Sequence, residues 1–356
     1  MWKKILFCVL LILSGAAGFG VAKVKSTMDT SLNHIQRDYD NQLSKVELPK
    51  DLNIETDDDI VNILLIGSDK RKEKVSGFVS DGNTDTMMIA TLDKKHDALK
   101  LTTLMRDTLV VDAQLNELVK LNSSYTRGGV KNLYKTIAQN FHIKLDGYVM
   151  VGLKGFQKVI DAVGGVELEI TDTEARYLNC TNYVNKKYHN IKPGKHTLNG
   201  SQALGYCRIR KGIDKIGEPV VTVNGLKDDY GRTWRQRTVL ASIFEKMKSQ
   251  PKSQWIDVLN KVFDAVKTDL DNDRIYSYMM SVITMGTTQI NQLQIPMNGY
   301  FCIGKEVPDV PYLLRESLVP TTGGVGERDT SVNSDILKEF IFKYDGKEEF
   351  EYKKNS

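Results

Sequence analysis

The sequence predicts an α/β layered domain built around a central, buried sheet. Short apolar runs typical of strands cover Val61–Gly67 and Thr86–Leu92, and a third such run ends at Met105. Helical patterns follow at Gly129–Phe141 and Leu153–Val163, and the strand-like segments YVMVG and VELEI lie on either side of the second one. Alternation of buried strands with amphipathic helices is typical of layered α/β domains.

The first residues predict a membrane segment. Ile5–Ala22 contains no charged side chain and follows Lys3 and Lys4. Such a helix would rise roughly 27 Å, which matches the hydrocarbon thickness, and a basic flank is typical of the cytoplasmic side. We therefore expect residues 1–22 to form an inside tail and a transmembrane anchor in the cell membrane, with the rest extracytoplasmic. A cleaved secretory signal is the alternative, because small residues occupy positions 15–18.

The segment after the anchor predicts a stalk. Apolar or aromatic residues recur every three or four positions from Met28 to Val46. This spacing predicts an amphipathic helix that pairs with a second copy or packs on its own domain. Pro49 and the acidic run at residues 57–59 mark the start of the globular part. The predicted division is a stalk or linker over residues 23–56, a catalytic domain over 57–297 and a C-terminal extension over 298–356 that completes the domain.

Composition leaves function open but excludes some classes. Among 356 residues, 41% are hydrophobic and 26% charged, and the net charge of +4 is too small to indicate nucleic acid binding. No helix-turn-helix pattern is apparent, which also argues against DNA. Three cysteines follow the anchor, Cys180, Cys207 and Cys302. Their odd number and wide spacing predict buried free thiols, with a Cys180–Cys207 bridge as the alternative.

Aspartate and arginine cluster where the predicted strands begin and end. The first strand runs into Asp69, the second is entered through Asp85, and the third runs into Arg106 and Asp107. Ligands of open α/β sheets gather outside the carboxyl ends of strands. Turn and cap chemistry is the alternative explanation for each aspartate.

A further arginine pair lies in LNGSQALGYCRIR. This segment predicts a capped helical turn over Leu198–Leu204 and a strand over Tyr206–Arg210, which puts Arg208 and Arg210 on one face. Neighbouring arginines destabilise such a face unless an anion lies over them or the face is solvated.

The segment DDYGRTWRQRTVLASIFEKM predicts a helix that begins near Gly231, with Arg232 and Gln236 on a shared face. The predicted buried stripe consists of Leu240, Ile243, Phe244 and Met247. Arginine near a helix N-terminus opposes the helix dipole, a penalty that a bound phosphate would offset. The planar guanidinium suits phosphate, and interleaved aspartates suit Mg²⁺ or accept a proton from a hydroxyl. The combination favours chemistry on a pyrophosphate.

Seven short blocks, in order from about Val61 to Met247, resemble the LytR-CpsA-Psr family. They are NILLIGSD, NTDTMMIATL, TLMRDTLV, KLNSSYTRGG, GFQKVIDAVGGVEL, HTLNGSQALGYCRIR and DDYGRTWRQRTVL. The resemblance implies a three-layer α/β/α sandwich around a mixed central sheet, with an apolar lipid pocket. It also implies an extracytoplasmic phosphotransferase that moves a glycopolymer, such as teichoic acid or capsular polysaccharide, from a polyprenyl-pyrophosphate carrier to peptidoglycan in a Gram-positive cell wall.

The same resemblance implies the roles of individual residues. Asp85, with help from Asp69, would hold Mg²⁺, and Asp229 would lie near the acceptor. The implied catalytic set is Asp85, Arg106, Asp229 and Arg232. The implied pyrophosphate-binding set is Arg106, Lys120, Arg208, Arg210, Arg232 and Gln236.

Three features depart from the family pattern. Asn83 stands where the family commonly has another arginine, and Met105 stands where proline is usual. Residues Ile213–Lys227 form an expanded loop that would shape the choice of polymer or acceptor.

Two other functions stay open on the sequence alone. One is a regulatory or lipid-handling protein that binds polyprenyl phosphates without turnover, and the other is a pyrophosphatase acting on the same lipid. The five histidines are scattered, so nothing indicates a Ser-His-Asp site. Expected partners are the lipid-linked glycopolymer, peptidoglycan and the cytoplasmic membrane, and no nucleic acid.

Overall fold

The computed structural model describes residues 29–30, 32–69, 74–75, 78–79, 83–251, 258, 261–287 and 289–352, without the side chains of Asp69, Lys74, Val75, Phe78, Val79, Asn83 and Asp85. A seven-stranded mixed sheet forms the centre of the domain. Its strands are β1 (Gln36–Arg37), β2 (Ile60–Asp69), β3 (Asn83–Asp93), β4 (Ala98–Leu104), β5 (Gly147–Gly152), β6 (Val266–Thr268) and β7 (Ile290–Ile295). They lie in the order β1-β6-β5-β2-β3-β4-β7.

Helices flank both faces of this sheet. They are α1 (Leu121–Phe141), α2 (Leu153–Ala162), α3 (Asp172–Cys180), α4 (Gly200–Arg208), α5 (Ile213–Ile216), α6 (Asp228–Ser249), α7 (Asn272–Met285) and α8 (Ser331–Lys338), which runs into a π-helical turn at Glu339–Lys343. One apolar core lies between the sheet, α1 and α8, and a second surrounds α2, α4 and the hairpin of Val166–Ile170 with Gly194–Leu198. The predicted α/β fold with a mixed central sheet and flanking helices is confirmed.

The pairing of the strands brings the predicted functional segments to one edge of the sheet. β2 and β5 are parallel, β4 and β7 are parallel, and β3 is antiparallel to both β2 and β4. The carboxyl ends of β2, β4, β5 and β7 therefore share an edge with the amino end of β3. Arg106 follows β4 at this edge, as the strand-end argument predicts.

A β-bulge lies in the same edge. Gly67 pairs with Thr86 and Ser68 pairs with Thr84, so Asp85 is the extra residue of β3. A bulge bends the strand and redirects the side chains beside it. Gly67 is required at this point, because a Cβ there would meet the Cβ of Thr86 at 2.9 Å.

The predicted strand over residues 206–210 is wrong, because α4 continues to Arg208. Asn199 caps this helix: its side chain accepts a hydrogen bond from the Gln202 backbone, and the Gln202 side chain accepts one from the Asn199 backbone. This reciprocal cap stabilises a helix, which then buries Tyr206 and Cys207.

The continuous stalk helix predicted over residues 28–46 is also wrong. The chain forms strand β1 at Gln36–Arg37, which pairs with β6, and short 3₁₀ turns follow at Tyr39–Asn41 and Leu43–Lys45. The apolar periodicity reflects packing on the domain instead, since Leu32 and Leu43 are buried. The segment is thus part of the sheet and its cores.

The predicted buried stripe of α6 is only half-buried, because Leu240, Ile243, Phe244 and Met247 all keep intermediate exposure. The fully buried positions of α6 lie nearer its N-terminus and include three arginines, which are Arg232, Arg235 and Arg237. The thiols of Cys180, Cys207 and Cys302 are free, although Cys180 is exposed rather than buried. The predicted free thiols are confirmed, and the Cys180–Cys207 bridge is not formed.

The C-terminal residues pack against the rest of the domain. The hairpin of Phe301–Ile303 with Leu318–Pro320 joins the site edge, where the Leu318 N–H donates to the Asp107 carbonyl at 2.9 Å. Helix α8 packs on α1 in the first core. In the part of the chain that the structure describes, no helix has the length and apolarity to cross a membrane. The predicted anchor at Ile5–Ala22 lies outside the described residues.

Candidate functional site

Four basic side chains come from four different segments at the shared sheet edge. Arg106 lies in the turn after β4, and Lys120 ends the hairpin strand Leu118–Lys120 directly before α1. Arg210 follows the end of α4, and Arg232 lies in the first turns of α6. Backbone hydrogen bonds fix two of these segments together, since the N–H of Leu121 donates to the carbonyl of Thr108 at 2.9 Å.

Asp229, in the first turn of α6, is the first carboxylate that gathers these cations. Its oxygens lie 2.9 Å from Nη2 of Arg232, 3.2 Å from Nε of Arg210 and 3.9 Å from Nη2 of Arg106. The Asp229 side chain is only 14% exposed. Three guanidinium groups therefore converge on one nearly buried carboxylate, which gives this edge of the sheet an excess of positive charge.

Asp107 is the second such carboxylate. It lies 3.0 Å from the Lys120 ammonium and 3.3 Å from Nε of Arg106. Burial alone would raise the pKa of Asp107, but the hydrogen bond from Lys120 and the charges of Arg106, Lys120 and Arg210 outweigh it and hold the pKa below its ordinary value. Arg106 contacts both carboxylates and so links them into one network, the Asp107–Asp229 cluster.

Two of the sequence-predicted binding residues lie beside this cluster. The Arg208 guanidinium lies over the ring of Tyr183, 4.3 Å from its centroid. Gln236, one turn after Arg232, donates from its amide to the carbonyl of Cys207 at 3.3 Å. Its amide oxygen is buried with no hydrogen-bond partner among the described residues, so it has an unused acceptor. Their contact with substrate stays a prediction.

The predicted metal residues occupy the bulged edge. Asp69 pairs with Asn83 at the end of β2, and Asp85 is the bulged residue two positions farther along β3. Carboxylate oxygens on adjacent strands are the donors that Mg²⁺ prefers, so the residue types fit this ion. The carboxylates of Asp107 and Asp229 already pair with cations. Among the described side chains, no group of three or more carboxylate, histidine or cysteine residues could hold a metal ion.

Sequence reasoning missed Asp107 as a site residue, although it directly follows Arg106. It also missed two buried arginines of α6. Arg235 is completely buried and its Nε donates to the Glu174 carboxylate at 2.7 Å, while the other oxygen of Glu174 caps α3. Arg235 lies one helical turn before Val239, so the apolar spacing of α6, extended toward its start, would have indicated burial.

Arg237 is the second buried arginine. Its guanidinium donates to Thr103 of β4 at 2.9 Å and to Gln292 of β7 at 3.2 Å. Burial lowers the pKa of Arg237 to about 10. These contacts attach α6 to the sheet and hold Arg232 and Asp229 at its edge.

A comparison with protein-family models identifies the family of this chain. The LytR_cpsA_psr family model matches residues 21–313. The chain belongs to the LytR-CpsA-Psr family. A relative from Bacillus mycoides, named polyisoprenyl-teichoic acid–peptidoglycan teichoic acid transferase TagU, is 30% identical over 308 residues, which is 84% of this chain and 90% of the relative. Biofilm regulatory protein A of Streptococcus mutans is 30% identical over 218 residues, 59% of this chain and 50% of that protein.

Solved structures agree on the fold. The B. subtilis TagV structure has a TM-score of 0.59 and 22% identity, and the match covers 80% of this chain and 98% of TagV. A TagT structure described as bound to LIIa-WTA has a TM-score of 0.58 and 20% identity, covering 85% of this chain and 99% of TagT. The mixed sheet with flanking helices is therefore the fold shared with other LytR-CpsA-Psr proteins.

Proposed function

We propose that this LytR-CpsA-Psr protein transfers a glycopolymer from a polyprenyl-pyrophosphate carrier to peptidoglycan. The observation that supports the proposal best is the convergence of Arg106, Arg210 and Arg232 on Asp229. Guanidinium groups from three segments, aimed at one point, suit the several oxygens of a pyrophosphate. The names of the TagU relatives add that such proteins use teichoic acid and peptidoglycan.

The reaction is an attack on phosphorus. A hydroxyl oxygen of the acceptor attacks the phosphorus next to the sugar, the bond from that phosphorus to the bridging oxygen breaks, and polyprenyl phosphate leaves. The product is a phosphodiester between polymer and acceptor, and the hydroxyl proton goes to Asp229. Such transfers depend on positioning and on neutralisation of charge rather than on a covalent enzyme intermediate.

The residues of the Asp107–Asp229 cluster have different roles in this reaction. Arg232 moves its hydrogen bond, and Arg210 its ionic contact, from Asp229 toward the phosphate oxygens, and this frees the carboxylate to accept a proton. Arg106 and Lys120, held by Asp107, keep positive charge beside the leaving phosphate. Gln236 offers its unused amide oxygen to a hydroxyl group of the substrate.

Asp85 and Asp69 would hold Mg²⁺. When bound, this ion would neutralise charge on the pyrophosphate. The residues support this assignment through their neighbouring positions at the bulged edge. The site would work on the outer side of the membrane, anchored by the apolar segment Ile5–Ala22.

The test uses the full chain in detergent with a polyprenyl-pyrophosphate saccharide and peptidoglycan fragments, with and without Mg²⁺. Arg106→Ala and Arg232→Ala each remove a charge-assisted contact worth about 1.5–3 kcal/mol, so each lowers turnover by about 10- to 150-fold. Lys158→Ala is the control: Lys158 pairs with Asp264 at 2.8 Å, both side chains are exposed and lie outside the site, and the loss of this cation leaves turnover unchanged.

The products separate this function from the two alternatives. Transfer gives saccharide on peptidoglycan, a pyrophosphatase gives free phosphates without transfer, and a binding protein leaves the lipid unchanged. Full turnover by both Arg106→Ala and Arg232→Ala would defeat the proposal.

A further inference from the structure

A buried hydroxyl group without a partner lies at the start of α6. Tyr230 directly follows Asp229 in the first turn of this helix. Its hydroxyl oxygen is hidden from solvent and has no hydrogen-bond partner among the described residues. A hydroxyl that is removed from water and left unpaired destabilises a fold, so native proteins contain few such groups. The presence of this one indicates that its partner is a molecule that the site binds.

The packing of α6 on the sheet determines where the Tyr230 ring points. The Thr233 hydroxyl donates to the side chain of Gln294 at 2.9 Å, and Arg237 donates to the side chain of Gln292 at 3.2 Å. Both partners belong to β7, so α6 runs antiparallel to this strand and begins at the site edge. Tyr230 precedes Thr233 by three residues and shares its helix face, and helix side chains lean toward the N-terminus. The ring is therefore directed past the carboxyl end of β7, toward the candidate site.

The C-terminal hairpin holds this ring in place. The ring of Tyr230 stacks on that of Phe301, with 6.0 Å between the centroids and 25° between the planes. Phe301 belongs to the hairpin in which the N–H of Leu318 donates to the carbonyl of Asp107 at 2.9 Å. Tyr230 is thus joined to Asp229 through its own helix and to Asp107 through the hairpin. Its hydroxyl is already ordered before a ligand binds, which lowers the entropy lost on binding.

The hydroxyl of Tyr230 is a neutral hydrogen-bond donor. Burial and, after it, the charge of Asp229 raise the pKa of Tyr230 to about 12, so the group stays protonated at neutral pH. A protonated phenol offers one O–H to an acceptor. Arg210 and Arg232, which contact Asp229, attract anions to this edge. An anion bound there would supply the acceptor oxygen that the hydroxyl lacks among the described residues.

We propose that Tyr230 is a further substrate-binding residue, whose hydroxyl donates a hydrogen bond to a phosphate oxygen of the pyrophosphate. The inference rests on the proposed function and adds a neutral donor to its cations. The arginines attract the anion through charge, whereas a single O–H on a fixed ring selects the position of one oxygen. The bond forms only in the complex, because the ligand alone supplies the acceptor.

The test uses Tyr230→Phe, which removes the hydroxyl and keeps the ring on Phe301. Calorimetric titration of the full chain in detergent with inorganic pyrophosphate should show binding weakened by about 10-fold or more, because a hydrogen bond to a charged acceptor is lost. The resistance of the variant to urea should equal or exceed that of the parent chain, because the variant no longer buries an unpaired hydroxyl. A hydroxyl with a purely structural role would not give this combination.

Tyr134→Phe is the matched control, since Tyr134 is buried in the first core and loses the same atom, and its pyrophosphate affinity should equal that of the parent chain. Equal affinity of Tyr230→Phe and the parent would overturn the proposal. Lower resistance of Tyr230→Phe to urea would do so too, because the hydroxyl would then have a partner within the folded protein. Transfer of saccharide to peptidoglycan by the parent chain tests the proposed function separately, without reference to Tyr230.

Discussion

Replacing Asp229 with asparagine should move ligand affinity and turnover in opposite directions. Asp229 contacts the guanidinium groups that would bind pyrophosphate, at 2.9 Å from Arg232 and 3.2 Å from Arg210. Under the proposed function, the substrate would therefore compete with this carboxylate for the same donors. Asparagine has nearly the same shape and keeps one oxygen acceptor, but it removes the negative charge.

The size of the effect follows from two opposing contributions. Two unit charges about 5 Å apart interact by about 3 kcal/mol at an effective dielectric constant of about 20. Asp229→Asn removes that repulsion of the ligand, while weaker contacts with Arg210 and Arg232 cost about 1 kcal/mol each in alignment of these two side chains. The net gain of about 1 kcal/mol corresponds to roughly fivefold to tenfold tighter binding of inorganic pyrophosphate.

Turnover should fall at the same time, because in the proposed reaction Asp229 accepts the hydroxyl proton and asparagine cannot. Loss of a general base lowers rates by about 10²- to 10⁴-fold. The assay is calorimetric titration of the full chain with inorganic pyrophosphate, beside single-turnover transfer to peptidoglycan fragments. Asp264→Asn is the control, since Asp264 is exposed and pairs with Lys158 outside the site. Weaker pyrophosphate binding by Asp229→Asn would refute the idea that this carboxylate competes with the substrate.

Three further outcomes are expected. Arg235→Met should lower the free energy of unfolding by about 3–5 kcal/mol in urea titrations, because it leaves the completely buried Glu174 without its partner at 2.7 Å. A loss of unfolding free energy below about 1 kcal/mol would contradict this account. The lowered pKa of Asp107 means that its stabilising contribution is present above its ordinary value of 3.8 and is lost as pH falls through the folded-state pKa. Asp107→Asn should therefore make the unfolding free energy decline less steeply with falling pH below about pH 4. An unchanged slope of unfolding free energy against pH would contradict this role of Asp107. A fragment that starts at residue 51 should be less stable to urea than one that starts at residue 29, because it lacks the buried side chains of Leu32, Ile35 and Leu43. The free energy of unfolding should fall by about 1.5–3 kcal/mol for each of these side chains. Equal stability of the two fragments would show that the N-terminal packing contributes nothing.

Local sequence patterns were enough to predict most of the central sheet. The apolar runs at residues 61–67 and 86–92 lie within β2 and β3, and the run ending at Met105 coincides with β4. These segments are apolar on both faces because they are covered on both sides, and that pattern depends little on distant contacts. The helix at Leu153–Ala162 was also predicted, since the glycines after it mark its end.

Short-range signals failed where tertiary contacts decide the outcome. The apolar spacing of residues 28–46 suits a helix, but pairing of Gln36–Arg37 with β6 satisfies more backbone groups in the folded domain. Alternation at residues 206–210 suits a strand, but the reciprocal cap at Asn199 and the core around Tyr206 favour a helix.

By itself, the sequence determined the fold class, the arginines of the candidate site and the strand ends on which Arg106, Asp85 and Asp69 lie, because residue type and hydrophobic period are local properties. Only the tertiary structure decided which charges meet. Asp107 and Asp229 gather cations from segments more than a hundred residues apart, with Arg106 contacting Asp229 at 3.9 Å. The attraction between two opposite charges weakens with distance and strengthens with burial, and both quantities are fixed only once the mixed sheet has brought the carboxyl ends of its strands to one edge.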